Sequence, residues 1–451
     1  MTETLSRALS PAAHPVRSPA TPGTAASSGP AGLTTARGVA LYIGALLGPG
    51  LLLLPGLAAA EAGPASVLAW AGLLILSGLF AVVFGSLGRG FPSAGGVVGY
   101  VRAGLGARAS AIAGWSFLAG VIAGAPVVCL IGAGYVTELT GGGRLPRALI
   151  AALLLLAVMG LVAGGLRASA TAQLLLVGLL LAVVVIAVAG SAGGSRAANW
   201  APFAPHGWQA VGHAASTLML SFVGWEAVAP LTTRFTDPAR QLPRVIGSAL
   251  VVTSVLYLGL AIATISVLGT GAGTSAPLAA LLRDAAGPAG TVAAAAAAVV
   301  LTLGAVNAYV TGAAEMVVEL TRPSGARTAA WPATRPARPA PRFLAAIAVS
   351  GVALISLYGL GLVSPAALVA IPTTLFLVVY LGCMASAARV LRGPARLAAA
   401  PAAVIVAVVL AFCGWALLAA LAVVLAVCAA RPFWRLCARA AAPIRKRRES
   451  R

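Results

Sequence analysis

Apolar residues run through this chain in long blocks separated by short segments rich in Arg, Pro or Gly. Crossing a hydrocarbon layer as a helix takes about 20 mostly apolar residues. Blocks of roughly that length or longer lie near 38–60, 65–88, 109–137, 145–165, 170–192, 209–232, 243–269, 288–318, 343–362, 365–391, 395–412 and 414–430, predicting an all-α membrane protein with twelve transmembrane helices. Residues 412–415, FCGW, leave only a tight hairpin between the last two. Residues 1–36 are rich in Pro, Ser, Thr and Ala and lack the apolar stretch of a signal peptide, so a disordered tail is expected there.

Basic residues give an independent test of this count, because cytoplasmic segments carry an excess of Lys and Arg. With the N-terminus inside, 26 of the 30 Lys and Arg residues fall in inner segments, and only Arg144, Arg147, Arg196 and Arg283 fall outside. Both termini are therefore predicted to be cytoplasmic, in a cell membrane. The net charge of +21 then reflects topology and contact with anionic lipid. A nucleic-acid partner would require a basic face on a soluble module, whereas these residues sit between apolar spans. The loop 321–342 and the tail 431–451 read as basic cytoplasmic segments.

Two spans contain residues that a simple crossing helix would not keep. The first is broken by Gly48, Pro49 and Gly50, and the sixth, SFVGWEAVAP (221–230), by Gly224 beside an acid with Pro230 following. Freed backbone groups are tolerated at membrane depth only where protein or a water-filled cavity satisfies them, so paired breaks point to a binding site. Their five-span separation predicts inverted repeats over 37–192 and 193–392, with residues 393–430 forming two extra helices. The amides of Gly48, Gly50 and Leu51 offer a positive pocket for a carboxylate, and carbonyls near Ser221, Phe222 and Val223 offer acceptors for an ammonium group. A zwitterionic amino acid suits that pair of ends.

The stretches GALLGPGLLLLPGLAAAEAGP (44–64), GRGFPSAGGVVGYVRAGLG (88–106), SFVGWEAVAPLTTRFTDPARQLPRVI (221–246) and TTLFLVVYLGCMASAARVLRG (373–393) carry a resemblance. They resemble the amino acid–polyamine–organocation (APC) superfamily of transporters, closest to the bacterial L-methionine and branched-chain amino acid exporters, over about residues 37–430. The resemblance implies a five-plus-five inverted-repeat fold of the LeuT-like type and transport of amino acids. It implies that Gly48, Gly50 and Leu51 hold the carboxylate, that Ser221, Phe222 and Val223 face the amino group and side chain, and that Glu226 couples transport to protons. Two departures are visible: Pro49 stands where relatives often have a small hydroxyl residue, and no basic residue follows Arg167 in the fifth helix.

Glu226 and Glu315 are expected to be buried acids, with Glu319 near an inner helix end. A carboxyl group in the membrane interior is a functional candidate by default; the competing reading of Glu226 is a static hydrogen-bonded strut. Gly224 and Trp225 complete the expected second break, and Trp115, Asn307 and Tyr309 are candidate pathway residues; Trp115, Phe222 and Trp225 read equally well as packing. No fixed cation is expected deep in the spans, which favours methionine, leucine, isoleucine or valine as substrate. The five cysteines have no metal-ligand spacing and read as reduced packed thiols. No nucleophile–base pair, metal cluster or cofactor motif is found, so an enzyme is not expected. The function expected is proton-coupled amino acid efflux, with an importer or exchanger of the same fold as the alternative and a non-transporting scaffold less favoured.

Overall fold

The computed structural model describes residues 34–48, 50–91, 96–165, 170–227, 235, 237–321 and 340–429. Pro49, Arg167, Pro230, Cys437, both terminal tails, most of the loop 321–342 and the side chain of Glu319 lie outside the described residues. Thirteen α-helices are described: α1 (Thr35–Leu46), α2 (Gly50–Ala62), α3 (Ser66–Gly90), α4 (Gly96–Thr140), α5 (Arg144–Ala163), α6 (Ala170–Gly190), α7 (Gln209–Leu218), α8 (Pro238–Leu268), α9 (Pro277–Thr321), α10 (Pro341–Gly359), α11 (Pro365–Val390), α12 (Pro394–Ala411) and α13 (Leu417–Ala429). No β-strand occurs among the described residues.

Helix starts follow local sequence. Thr34, Asp237 and Ser364 each accept a hydrogen bond from the backbone N–H three residues on, and Pro occupies an early position in α8, α10, α11 and α12, where its missing donor costs nothing. Two long helices change direction at glycine. Gly106 (φ 81°) turns α4, and Gly287 (φ 62°) turns α9 just ahead of Pro288, so the apolar stretches expected at 109–137 and 288–318 each follow a bend.

Nine helical stretches among the described residues are long and apolar enough to cross a membrane. Two shorter apolar helices, Thr35–Leu46 and Gly414–Ala429, fall where the first and last spans are expected. The helices are covered by apolar side chains on the outside as well. On α5, Leu145, Leu149, Leu153 and Leu156 are all about two-thirds exposed, while Ala148, Ala151, Leu155 and Val158 on the other face are buried. A water-facing helix would carry polar residues on that outer stripe; lipid accepts leucine there.

The interior is organised around α4, which packs most extensively against α11 and α9. Glycine permits the closest approaches. A Cβ on Gly132 would lie 2.4 Å from the Thr302 hydroxyl, and one on Gly104 would lie 2.7 Å from the Ser386 carbonyl. The segments that flank the two breaks pair crosswise: α2 packs on α7, and α1 packs on the short turn at Trp225–Ala227. Cys129, Cys383 and Cys413 are buried free thiols as expected, but Cys428 is exposed.

Gly56 in α2 faces the carbonyl oxygen of Thr274, which a Cβ would approach to 2.1 Å. Gly56→Ala is therefore expected to cost ~1–3 kcal/mol by overpacking. Denaturant unfolding in detergent measures this, and an unchanged midpoint would contradict the packing described.

Candidate functional site

The first break is a backbone turn between α1 and α2. Leu47 leaves helical geometry (φ −80°, ψ 66°), and α2 restarts at Gly50. The Gly48 amide donates to the Leu46 carbonyl at 2.9 Å, and the Leu51 amide to the Gly48 carbonyl at 3.2 Å. Two of the three amides expected to point at a ligand are thus engaged within the turn itself. The Gly50 amide has no such partner among the described residues.

The second break begins where α7 tightens into a 3-10 turn at Met219–Phe222. Val223 is extended (ψ 132°), Gly224 adopts φ 142°, and a further 3-10 turn covers Trp225–Ala227. Gly224 is required twice over. An L side chain rarely adopts that φ, and a Cβ would sit 2.2 Å from the Ala45 carbonyl oxygen of α1.

Tyrosines satisfy much of the freed backbone. The Tyr257 hydroxyl lies 2.7 Å from both the Leu46 and the Ser221 carbonyl oxygens, and so serves the ends of both leading half-helices. The Tyr380 hydroxyl accepts from the Gly224 and Trp225 amides at 3.0 and 3.1 Å and donates to Glu226 Oε2 at 2.5 Å. Glu226 Oε2 also accepts from the Gly224 amide at 2.9 Å. Among the described residues no cation pairs with Glu226, and its carboxylate is held by a hydroxyl and an amide.

A partly open cavity lies between the breaks. Gly48, Gly50, Leu220 and Val223 form its broken-helix walls; Gly120, Val121, Gly124, Ala125 and Val128 of α4, Ala305, Val306 and Tyr309 of α9 and Phe376 of α11 complete it. Tyr309 supplies the one polar side chain in this lining. A Cβ on Gly48 would meet nothing within 4 Å, whereas one on Gly50 would lie 3.2 Å from Ser221 Oγ. That hydroxyl is buried and has no hydrogen-bond partner among the described residues.

Of the expected site residues, Gly48, Gly50, Val223 and Tyr309 line the cavity. Leu51, Ser221, Phe222, Gly224 and Trp225 are buried around the breaks and stand behind the lining. Phe222 packs on Trp70 and Tyr257, with ring centres 5.9 and 5.3 Å apart, and Trp225 donates its indole N–H to Ser77 Oγ at 2.9 Å. Both pack into the surrounding helices. Asn307 is buried on α9, outside the lining, and accepts from Thr311; Trp115 is 45% exposed on α4 and does not reach the cavity.

The acids also differ from expectation. Glu315 is exposed on α9, while Glu61, one residue past the expected first span, is partly buried and accepts from Thr217 Oγ1 at 2.9 Å. It links α2 to α7. The α4 wall was missed too, although its small residues at 120, 124 and 125 are spaced to open one helix face.

Apolar outer faces and helices long enough to cross a membrane define a multi-pass α-helical membrane protein, in which two broken helices border a cavity. The family model described as "Amino acid permease" matches residues 33–437, and the chain belongs to that family, within the APC superfamily; its members are transporters, not enzymes. The chain is 32% identical over 389 residues to the uncharacterized amino acid permease YecA of Bacillus subtilis, covering 86% of this chain and 92% of that protein. It is 36% identical over 207 residues to the L-methionine/branched-chain amino acid exporter YjeH of Escherichia coli, covering 45% and 48% respectively. It is 28% identical over 253 residues to the branched-chain amino acid permease BcaP of B. subtilis, covering 50% and 53%.

Tyr380→Phe removes one donor and the acceptor of two buried amides. The expected loss is ~1–3 kcal/mol of stability, read as a lower thermal midpoint in detergent. A midpoint equal to wild type would show that the hydroxyl does not hold the break.

Proposed function

We propose that this permease moves neutral amino acids with apolar side chains by alternating access, exporting them against proton entry. The observation that carries this reading is the cavity between the two breaks. Its walls are almost wholly apolar, suited to the side chain of leucine, isoleucine, valine or methionine, and its polar groups are the backbone of the two breaks and the Tyr309 hydroxyl. There the carboxylate meets the Gly50 amide, and the ammonium group meets carbonyls of the second break and the orphaned Ser221 hydroxyl. A side chain at 48 would enter open space beside the turn, and one at 50 would crowd Leu54 and the Ser221 hydroxyl.

The proposed architecture has twelve crossings, both termini cytoplasmic, and inverted repeats over 37–192 and 193–392 followed by residues 393–430. The crosswise packing of α2 on α7 and of α1 on Trp225–Ala227 supports it, since that pairing follows when two broken helices lie antiparallel. Proton coupling is assigned to Glu226. Its carboxylate joins the second break to α11 through Tyr380, so gain or loss of a proton changes what holds that break together. Similarity to the L-methionine/branched-chain amino acid exporter YjeH supports export of methionine and branched-chain amino acids; similarity to the branched-chain amino acid permease BcaP supports the branched-chain class without a direction.

Equilibrium binding of labelled leucine and methionine to the purified protein tests the site. Gly50→Leu is expected to weaken binding by about 100-fold, near ~3 kcal/mol. Unchanged affinity would remove the Gly48–Gly50 turn from the site. Efflux from preloaded cells tests direction and coupling: expression should speed loss of leucine and methionine, and Glu226→Gln should retain binding while flattening the pH dependence of efflux. A pH profile identical to wild type would remove Glu226 from coupling.

A further inference from the structure

Arg147, counted among the outer residues, is a buried cation at one end of a helix. It lies in the first turn of α5 with only 7% of its surface exposed. Its Nε donates to the Leu130 carbonyl of α4 at 3.0 Å. The guanidinium lies flat against Gly134, where a Cβ would come within 2.5 Å of Nη2, and its carbon is 5.5 Å from the centre of the Tyr358 ring.

A guanidinium carries five N–H donors. Among the described residues only the one on Nε is used, and no carboxylate pairs with the charge. Glu138, one turn beyond Gly134 on α4, pairs with Arg283 at 3.6 Å instead. An uncompensated buried charge is strongly unfavourable, so a native one is expected to meet a counter-charge.

A second, smaller cavity opens beside this guanidinium. Leu53 of α2, Ile131 of α4, Tyr358 of α10 and Leu368 of α11 are among its walls, and Arg147 is its one charged residue. Val127 lines this cavity and its neighbour Val128 lines the larger one, so the two are adjacent along α4.

We propose that this second cavity is a binding site for a small monovalent anion, held by the Nη groups of Arg147. One cation balances one negative charge. The apolar walls favour a weakly hydrated ion over a multiply charged one, and the small volume favours a halide or a compact carboxylate.

The test uses the purified full-length chain in detergent, its thermal midpoint followed as sodium gluconate is replaced by sodium chloride or, separately, by sodium acetate at constant ionic strength. The midpoint is expected to rise saturably with at least one of the two small anions. A chloride response identifies a halide site, and a response to acetate alone identifies a carboxylate site. Arg147→Gln should abolish the saturable rise, and Arg147→Lys should keep it with a half-saturating concentration raised about tenfold. Bromide-soaked wild-type crystals give a measurement independent of mutant folding, with an anomalous peak expected in contact with the Arg147 Nη atoms. No saturable rise in wild type, a rise that persists in Arg147→Gln, or bromide absent from Arg147 in a protein that responds to chloride would each overturn the proposal.

Discussion

A helix broken inside apolar surroundings must find partners for the backbone groups it frees, and the centre of this protein is arranged around that requirement. Tyr257 stands between the carbonyl ends of α1 and of the turn after α7, so its single hydroxyl proton is shared between the two leading half-helices. Tyr380 performs the complementary task on the amide side, accepting from Gly224 and Trp225 while donating to Glu226. Tyr135 adds a third such contact, donating to the Leu52 carbonyl at 2.6 Å. Each tyrosine comes from a different helix, α8, α11 or α4, so the breaks are tied to the surrounding scaffold and are not frayed helix ends.

What remains unsatisfied is informative because so much else is paired. The Gly50 amide and the Ser221 hydroxyl are left over on facing sides of the contact between the breaks, next to a cavity whose other walls are almost entirely apolar. Backbone polarity at the breaks beside a mostly apolar chamber suits the two ends of a neutral amino acid. The link from Glu226 through Tyr380 to α11 gives the proposed proton site a mechanical connection to the second break. Glu61, joined to Thr217, ties α2 to α7.

Much of the fold could be read from hydropathy, because a span needs only length and apolarity, and both breaks were visible as Gly and Pro within such spans. Side-chain direction was not legible in the same way. Phe222 and Trp225 sit within the second break, but a 3-10 turn followed by the unusual φ of Gly224 rotates them into the packing against Trp70, Tyr257 and Ser77. The α4 wall at Gly120 and Gly124 looked like helix-packing sequence and is that as well, since a Cβ on Gly120 would meet Phe376 at 3.2 Å. Arg147 was assigned to an outer segment by charge counting, which registers where a residue falls in the chain and not whether its guanidinium folds back on α4. Glu61 was lost to a span border drawn one residue short.

The most direct measurement is an experimental structure of the protein with leucine or methionine bound. The account predicts density for one amino acid between the two breaks, its carboxylate on the Gly48–Gly50 turn, its ammonium group on the Ser221–Val223 side, and its side chain against Val121, Ala125 and Phe376. A ligand bound elsewhere with this chamber collapsed or filled by protein side chains, or α1–α2 and α7 onward running as unbroken helices, would contradict it.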